Sequence, residues 1–294
     1  MRETTKLPQI TPRNSDSHKG DYGRVFVIAG STGFTGAAYL CSKAALRAGA
    51  GLVTLGIPES LNAIMETKLT CVMTLPLAQT SAGTLAKAAK TKILDFAKDY
   101  DVIVIGPGLS QHPETQELVI SLLQEVDLPI VLDADGLNAI AGKLHLLKGA
   151  KNSVVLTPHP GELARLMDLG STADVQNDRV KIANEFIDTT CQNGGKEVVL
   201  VLKGNGTIVI NNDNMYTNTT GNPGMASGGT GDVLSGIIAA LMGQRFTAFE
   251  AAQLGGYIHG LAGDLAARAK GETSMIATDI IDCLPNAFAE FSNR

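Results

Sequence analysis

Short apolar runs alternate along this chain with longer segments whose apolar residues recur at helical spacing. Strands are predicted over residues 25–29 and 52–57, with a helix between them that begins near Ala37 and stops at Gly49. Two consecutive parallel strands joined by a helix form a βαβ unit with a right-handed crossover. The first sixty residues therefore predict the start of an α/β fold.

The alternation continues to the end of the sequence. Further strands are predicted over residues 71–75, 101–105, 129–133, 153–157 and 197–202, and a hairpin over 207–210 and 214–218. Helices are predicted over 59–67, 83–98, from Pro113 onward, and over 172–194, 233–241, 248–270 and 278–291. Because no repeat or linker interrupts this pattern, we predict one domain over residues 1–294, built on a mostly parallel sheet.

A glycine-rich stretch at residues 221–232 leads directly into a very apolar helix. Five glycines in twelve residues allow the backbone to come close to a ligand. Large apolar side chains line one face of residues 233–241 and glycine and alanine line the other, so this helix is predicted to be buried all round. About four unpaired N–H groups and a partial positive charge at its start favour an anion such as phosphate.

Asp232 is the only charged residue of this stretch. It either caps the helix or lies beside a phosphate-transfer centre and takes a proton from an attacking hydroxyl. A carboxylate in a helix first turn is expected to stay ionised and therefore to be a weak base. That suffices where the transition state is loose and the proton leaves late.

Candidate chemistry also follows several predicted strands. Residues 106–108 (Gly-Pro-Gly) form either a ligand-binding edge or a tight turn. Asp133 and Asp135 either position Mg²⁺ through water or cap the next helix, and the cap is the favoured interpretation. His159 lies between two prolines and is predicted in a loop, and Lys203 is either a solvated strand end or a phosphate contact. His259 is predicted to be a core or interface residue.

Composition excludes several function classes. The net charge of −5 and the pI of about 5.6 argue against a broad nucleic-acid-binding face. Residues 1–20 lack a secretion-signal pattern and no run reaches a membrane span, so a cytoplasmic protein without membrane contact is expected. The four cysteines have no C-x-x-C spacing and are predicted to be buried free thiols. Residues 30–36 read G-x-x-G-x-x-G, which is neither a dinucleotide fingerprint nor a P-loop.

The motifs together resemble a known family. Residues 226–232 (Ala-x-Gly-Gly-Thr-Gly-Asp) resemble the nucleotide-phosphate loop and catalytic aspartate of the ribokinase-like superfamily. The chain further resembles the ADP- or ATP-dependent NAD(P)H-hydrate dehydratases through residues 19–23, 36–38, 45–51, 106–108, 133–135, 157–162 (Thr-Pro-His-Pro-Gly-Glu), 202–205 and 222–225. The loop alone is specific to the superfamily, and its combination with Thr-Pro-His-Pro-Gly-Glu is specific to the dehydratases.

The resemblance implies a ribokinase-like three-layer α/β/α fold and a hydro-lyase that repairs damaged cofactors. Such an enzyme dehydrates the S-epimers of NADHX and NADPHX to NADH and NADPH, using ADP or ATP and releasing AMP or ADP with phosphate. ADP is the preferred donor, and Mg²⁺ would bridge its phosphates. The resemblance also implies a homo-oligomer, specifically a tetramer, and a functional link to a separate NAD(P)H-hydrate epimerase.

Residue roles are implied in the same way. Asp232 would deprotonate the substrate hydroxyl, and the N–H groups of Gly229 and Gly231 would stabilise the transferring phosphoryl group. The hydrate would be bound by Ala38, Gly108, His159 and Asp232. The nucleotide would be bound by Lys203, Gly204, Asn205, Gly206, Thr207 and Gly231. No metal ligand is assigned to a side chain.

Two other functions remain open. A ribokinase-like small-molecule kinase would share the glycine-rich loop but end with a stable phosphoester, and residues 157–162 argue against it. A non-catalytic nucleotide-binding protein would keep the loops without turnover, although Asp232 is present.

Overall fold

A computed structural model describes residues 2–190 and 196–293. The strands are β1 Arg2–Glu3, β2 Arg24–Ile28, β3 Leu52–Pro58, β4 Met73–Leu77, β5 Val102–Ile105, β6 Ile130–Leu132, β7 Val154–Leu156, β8 Val198–Leu202, β9 Ile208–Ile210 and β10 Asn214–Thr217. The helices are α1 Thr35–Arg47, α2 Asn62–Lys68, α3 Lys90–Ala97, α4 Pro113–Glu125, α5 Asp135–Ala139, α6 Pro160–Leu166, α7 Thr172–Asn177, α8 Arg179–Thr190, α9 Thr230–Gly243, α10 Ala248–Lys270 and α11 Ala277–Ser292.

The strands form one sheet in the order β1-β10-β9-β8-β7-β6-β5-β2-β3-β4. Neighbouring strands are parallel except where β9 pairs antiparallel with β8 and β10. Strands β5 to β8 are buried along their whole length, which explains their uninterrupted apolar sequences. The predicted mostly parallel sheet and the predicted hairpin are therefore confirmed.

Helices cover both faces of the sheet. Val25 and Val27 of β2 point to a core formed with α1, α9, α10 and α11. Phe26 and Ile28 point to the opposite core, formed with α3, α4, α6 and α8. This alternation follows from the two-residue period of a strand. The predicted three-layer α/β/α arrangement is present.

Helix α9 is the central helix of one layer. Its residues from Val233 to Gly243 are all buried, as predicted. It packs tightly on α1, because a Cβ added at Gly236 would lie only 2.2 Å from the carbonyl oxygen of Cys41. A hydrogen bond from the Ser235 hydroxyl to Asp133, just after β6, ties the start of α9 to the carboxyl edge of the sheet.

Several predicted boundaries are wrong for local reasons. The helix predicted over 83–98 is limited to α3 and one preceding turn, because Gly83 has a φ of +70° and residues 79 and 85 form a β-bridge. The helix predicted over 172–194 divides into α7 and α8 at Asp178, where φ is −150°. Residues 191–195 lie outside the described residues.

Other elements were missed or displaced. Helix α6 was missed because its first residue, Pro160, reads as a loop, although proline is well suited to the first helical turn. Strand β1 was missed because two residues carry no periodicity, and β4 begins two residues later than predicted.

No helix in the described ranges is long and apolar enough to cross a membrane.

The described cysteines are free thiols, as predicted, but only Cys41 is buried. Cys71 is exposed and Cys283 is partly exposed, so the predicted burial is wrong for both. Cys191 lies outside the described residues.

Candidate active site

Loops from several strands meet at the carboxyl edge of the sheet. The Ser31 hydroxyl, after β2, donates to the carbonyl of Gly108, after β5, at 2.8 Å. The Ser110 N–H donates to Asp135 Oδ2, after β6, at 2.8 Å. Since ligands bind outside the carboxyl ends of strands in open α/β sheets, this cluster of loops is the candidate active site.

A buried ion pair lies at the base of the cluster. Lys203 Nζ is 3.1 Å from Asp133 Oδ1, and the Ser235 hydroxyl donates to Asp133 Oδ2 at 2.7 Å. The Asp133 side chain is 1% exposed and that of Lys203 is 21% exposed. Burial opposes the charge on both groups, but their mutual attraction lowers the pKa of Asp133 and raises the pKa of Lys203. Both groups are therefore charged at neutral pH.

Neither Asp133 nor Asp135 caps helix α5. The capping position is Ala134, with a φ of +49° and no side-chain hydrogen bond. Asp135 Oδ1 instead accepts from the Asn138 side chain at 3.1 Å, and its Oδ2 anchors the loop after β5. The favoured interpretation of this pair as a cap is therefore wrong. The described residues also contain no cluster of three or more His, Cys, Asp or Glu side chains suited to a metal ion.

Asp232 lies in the first turn of α9 but does not cap it. The capping position is Gly229, whose φ is +95°, and no side-chain cap is formed there. Burial raises the pKa of Asp232 to about 7, and repulsion from Asp133, Glu162 and Asp135 outweighs the attraction of Lys203. The expectation that this carboxylate is a weak base is therefore wrong. A group with this pKa is well matched to accepting a proton near neutral pH.

The glycine-rich loop offers backbone donors beside a cation. The first hydrogen bond inside α9 runs from the Val233 N–H to the Gly229 carbonyl at 3.2 Å. The backbone N–H groups before Val233 therefore take no part in the intrahelical hydrogen bonds. A Cβ added at Gly231 would lie 3.1 Å from Lys203 Nζ, which places the ammonium against this first turn. The Thr230 hydroxyl donates to the carbonyls of Met225 and Ser227 at 3.0 and 3.1 Å and holds the loop. These donors suit an anionic ligand.

Glu162 connects His159 to the partly buried Lys203. Its Oε2 accepts from the His159 N–H at 2.7 Å and lies 3.7 Å from Lys203 Nζ. His159 Nδ1 accepts from the N–H groups of Gly161 and Glu162, so the neutral ring carries its proton on Nε2. Burial lowers the pKa of His159 despite the nearby Glu162. The imidazole, 52% exposed, therefore presents a neutral N–H donor directly before α6.

Ala38 and Gly108 lie where the loops of the site pack closely against one another. Ala38 is fully buried, and a Cβ added at Gly30 would lie 3.0 Å from the Ala38 Cβ. Gly108 has a φ of +63°, and a Cβ there would lie 2.8 Å from the Phe34 carbonyl oxygen. These two residues therefore permit close packing of the loops, since the Ala38 side chain is buried and Gly108 has none.

The Lys203–Thr207 loop is held by a residue that the sequence did not reveal. Arg179, the first residue of α8, donates to the carbonyls of Leu202 at 2.9 Å and Lys203 at 3.2 Å, and also to that of Asn205. It lies 24 positions before Lys203 and belongs to none of the recognised motifs. His259, predicted to be a core or interface residue, is partly buried in α10, and burial lowers its pKa to about 4, so it stays neutral.

A three-layer α/β/α arrangement of this topology, with a glycine-rich loop at the start of a buried helix, is the ribokinase-like fold. Ribokinase from Thermotoga maritima shares the fold at 12% identity, with a TM-score of 0.52 over 89% of this chain and 99% of its own. A much nearer structure is the ADP/ATP-dependent NAD(P)H-hydrate dehydratase from Bacillus subtilis, co-crystallised with ATP and Mg²⁺. It is 30% identical, with a TM-score of 0.80 over 96% of this chain and 95% of its own.

The chain belongs to the NAD(P)H-hydrate dehydratase family, whose model matches residues 25–286. The bifunctional NAD(P)H-hydrate repair enzyme Nnr of Moorella thermoacetica is 48% identical over 94% of this chain and 51% of its own length. That of Escherichia coli is 41% identical over 94% of this chain and 49% of its own. The chain thus spans about half the length of these curated relatives.

Proposed function

We propose that this chain dehydrates the S-epimers of NADHX and NADPHX to NADH and NADPH, as a hydro-lyase that consumes a nucleotide. ADP is the preferred donor, and ATP is the alternative. The observation that supports this most strongly is Asp232, a carboxylate with a pKa of about 7 at the start of α9, beside the Lys203 ammonium. A proton acceptor and an anion-binding helix end are what phosphoryl transfer to a hydroxyl requires.

The proposed reaction has two balanced steps. Asp232 accepts the hydroxyl proton while the hydrate oxygen bonds to the β-phosphorus of ADP, and AMP leaves with the electron pair of the broken P–O bond. The C–O bond to the new phosphate then breaks with its electron pair, and the adjacent ring carbon loses a proton. Phosphate is a far better leaving group than hydroxide, which is why the nucleotide is consumed. The products are the reduced cofactor, AMP and phosphate.

Each loop has a role in this scheme. The N–H groups of Gly229 and Gly231 stabilise the transferring phosphoryl group. The Lys203–Thr207 loop binds the nucleotide, and Gly231 contributes through its position against Lys203. His159 donates to the hydrate from Nε2, while the backbone around Ala38 and Gly108 forms the wall of the hydrate site.

Magnesium fits this site as an ion carried by the nucleotide. The Asp133 carboxylate accepts hydrogen bonds from Lys203 and Ser235, and that of Asp135 accepts from Ser110 and Asn138. Both carboxylates are therefore engaged within the protein and are not available to coordinate the ion directly. Mg²⁺ commonly keeps several waters and binds mainly through substrate phosphates. When bound it supplies charge neutralisation at the phosphates, and the amides of the glycine-rich loop orient them.

An assay with purified protein separates this function from the two alternatives. We expect NADHX and ADP to give reduced-nicotinamide absorbance together with equimolar AMP and phosphate, at a higher rate than with ATP. A kinase would consume the nucleotide and accumulate a phosphoester without free phosphate. A non-catalytic binding protein would consume nothing. Either of those results with both donors would reject the proposed function.

The pH profile tests the role of Asp232. Because the carboxylate is the active form of a base and its pKa is raised to about 7, kcat/KM for the hydrate should rise as pH increases through neutrality. The measurement is the initial rate at saturating ADP across the neutral range. A profile that stays flat from about pH 5 to about pH 8 would contradict a base with this pKa.

We also propose that residues 1–294 form one catalytic domain that acts in the cytoplasm as a homotetramer, in functional association with an NAD(P)H-hydrate epimerase. The bifunctional names of the curated relatives support a link between the two activities. Light scattering of the purified chain measures its mass directly, and a monomer at micromolar concentration would reject the tetramer.

A further inference from the structure

Arg179 holds the Lys203–Thr207 loop through hydrogen bonds to its backbone. Its guanidinium donates to three backbone carbonyls within four residues, those of Leu202, Lys203 and Asn205. Gly204 makes room for it, because a Cβ there would lie 2.9 Å from Arg179 Nη1. The backbone of the loop therefore packs closely against the guanidinium, and Gly204 lies where the two come closest.

The charge of this guanidinium has no acidic partner in the described part of the chain. Each ion pair found there involves other residues, and the nearby Lys203 is already matched by Asp133 and Glu162. The Arg179 Nε–H is buried without an acceptor. Burial lowers the pKa of Arg179, and no carboxylate offsets that effect. The three carbonyls that accept from Arg179 are neutral, so its positive charge is left without a counter-charge and an anion is its expected partner.

We propose that Arg179 is a polyphosphate-binding cation of the nucleotide site. It shapes the Lys203–Thr207 loop through its backbone contacts and supplies positive charge for the phosphates of a nucleoside diphosphate or triphosphate. This inference rests on the proposed function, since it identifies the group that the loop binds. Lys203, the other cation of the loop, is already paired with two carboxylates, Asp133 and Glu162.

The test compares a charged with an uncharged ligand. Calorimetry would measure the Kd of ADP and of adenosine for the wild type, Arg179→Gln, Arg179→Lys and Lys181→Gln. Lys181 is the matched control, because it is an exposed cation on the same helix whose ion pair, with Glu185 at 3.8 Å, lies outside the loop. Thermal unfolding of each variant shows whether it is folded.

We expect Arg179→Gln to weaken ADP binding by about 10- to 100-fold, as for loss of a charged hydrogen-bonding partner. Adenosine binding should change by less than about threefold, and Lys181→Gln should leave both affinities near the wild-type values. If Arg179→Gln fails to fold, Arg179→Lys should weaken ADP binding more than adenosine binding, because one ammonium cannot replace the several N–H donors of the guanidinium.

Three results would overturn the inference: an unchanged ADP affinity in folded Arg179→Gln, an equal loss of adenosine and ADP affinity in that variant, or an equal loss for both ligands in folded Arg179→Lys. An equal loss would mean that the residue only supports the backbone. A wild-type protein that does not bind ADP would instead reject the proposed function itself.

Discussion

Replacing Asp232 by asparagine is expected to lower kcat by about 10³-fold, because the variant keeps the shape of the side chain but cannot accept the substrate proton. The Kd of ADP should stay within a few-fold of the wild-type value, since the loop amides and Lys203 are unchanged. Stopped-flow turnover and calorimetry measure the two quantities. A nearly active Asp232→Asn would show that the carboxylate is not the base.

The same substitution is expected to raise stability above neutral pH. The pKa of Asp232 is about 7 in the folded chain and about 3.9 when unfolded, so the folded state binds the extra proton. Its contribution to the free energy of unfolding is fully present below about pH 4 and is lost as pH rises through about 7. Unliganded Asp232→Asn should therefore exceed the wild type at pH 8 and approach it at pH 4 in urea unfolding.

Asp213→Asn is the matched control, because Asp213 lies exposed in the hairpin turn between β9 and β10. As a substitution on the surface, it should change the free energy of unfolding by no more than about 0.5 kcal/mol. If Asp232→Asn behaved in the same way, the carboxylate would carry no raised pKa in solution.

Replacing Lys203 by methionine is expected to destabilise the chain by about 3–5 kcal/mol, because the buried Asp133 carboxylate loses its cation. Turnover should also fall by about 10²-fold, since the ammonium lies against the first turn of α9. Urea unfolding and steady-state kinetics measure the two effects. Lys90→Met breaks a surface pair with Glu125 at 2.9 Å and should cost no more than about 1 kcal/mol.

A double variant separates structure from activity. Asp133→Asn combined with Lys203→Met removes both charges and leaves a neutral amide beside Ser235, so most of the lost stability should return. Activity should remain low because the ammonium is still absent. Recovery of activity together with stability would show that Lys203 serves only to neutralise Asp133.

The sequence predicted most of the strands and the glycine-rich turn before α9 because both depend on local patterns. The uninterrupted apolar run of β5 is buried on both faces, and the glycines before α9 allow a positive φ at Gly229. Helix α6 was missed because the local signal of Pro160 is ambiguous between a loop and a first helical turn.

The chemistry of the site was less accessible from sequence because it depends on contacts between distant strands. Asp232 was expected to be fully ionised from its place in a helix first turn. Its pKa is set instead by burial and by Asp133 and Glu162, which arrive after β6 and β7. Arg179 was missed for the same reason, since only the folded chain brings α8 against the loop after β8.

A single-turnover experiment with NADHX and ADP labelled at the β-phosphate tests most directly whether Asp232 promotes phosphoryl transfer at the start of α9. We expect the label to pass first to a phosphorylated hydrate and then to free phosphate in the wild type, with the first step about 10³-fold slower in Asp232→Asn. Label that reaches phosphate without passing through the hydrate, or transfer at the wild-type rate in Asp232→Asn, would contradict the account.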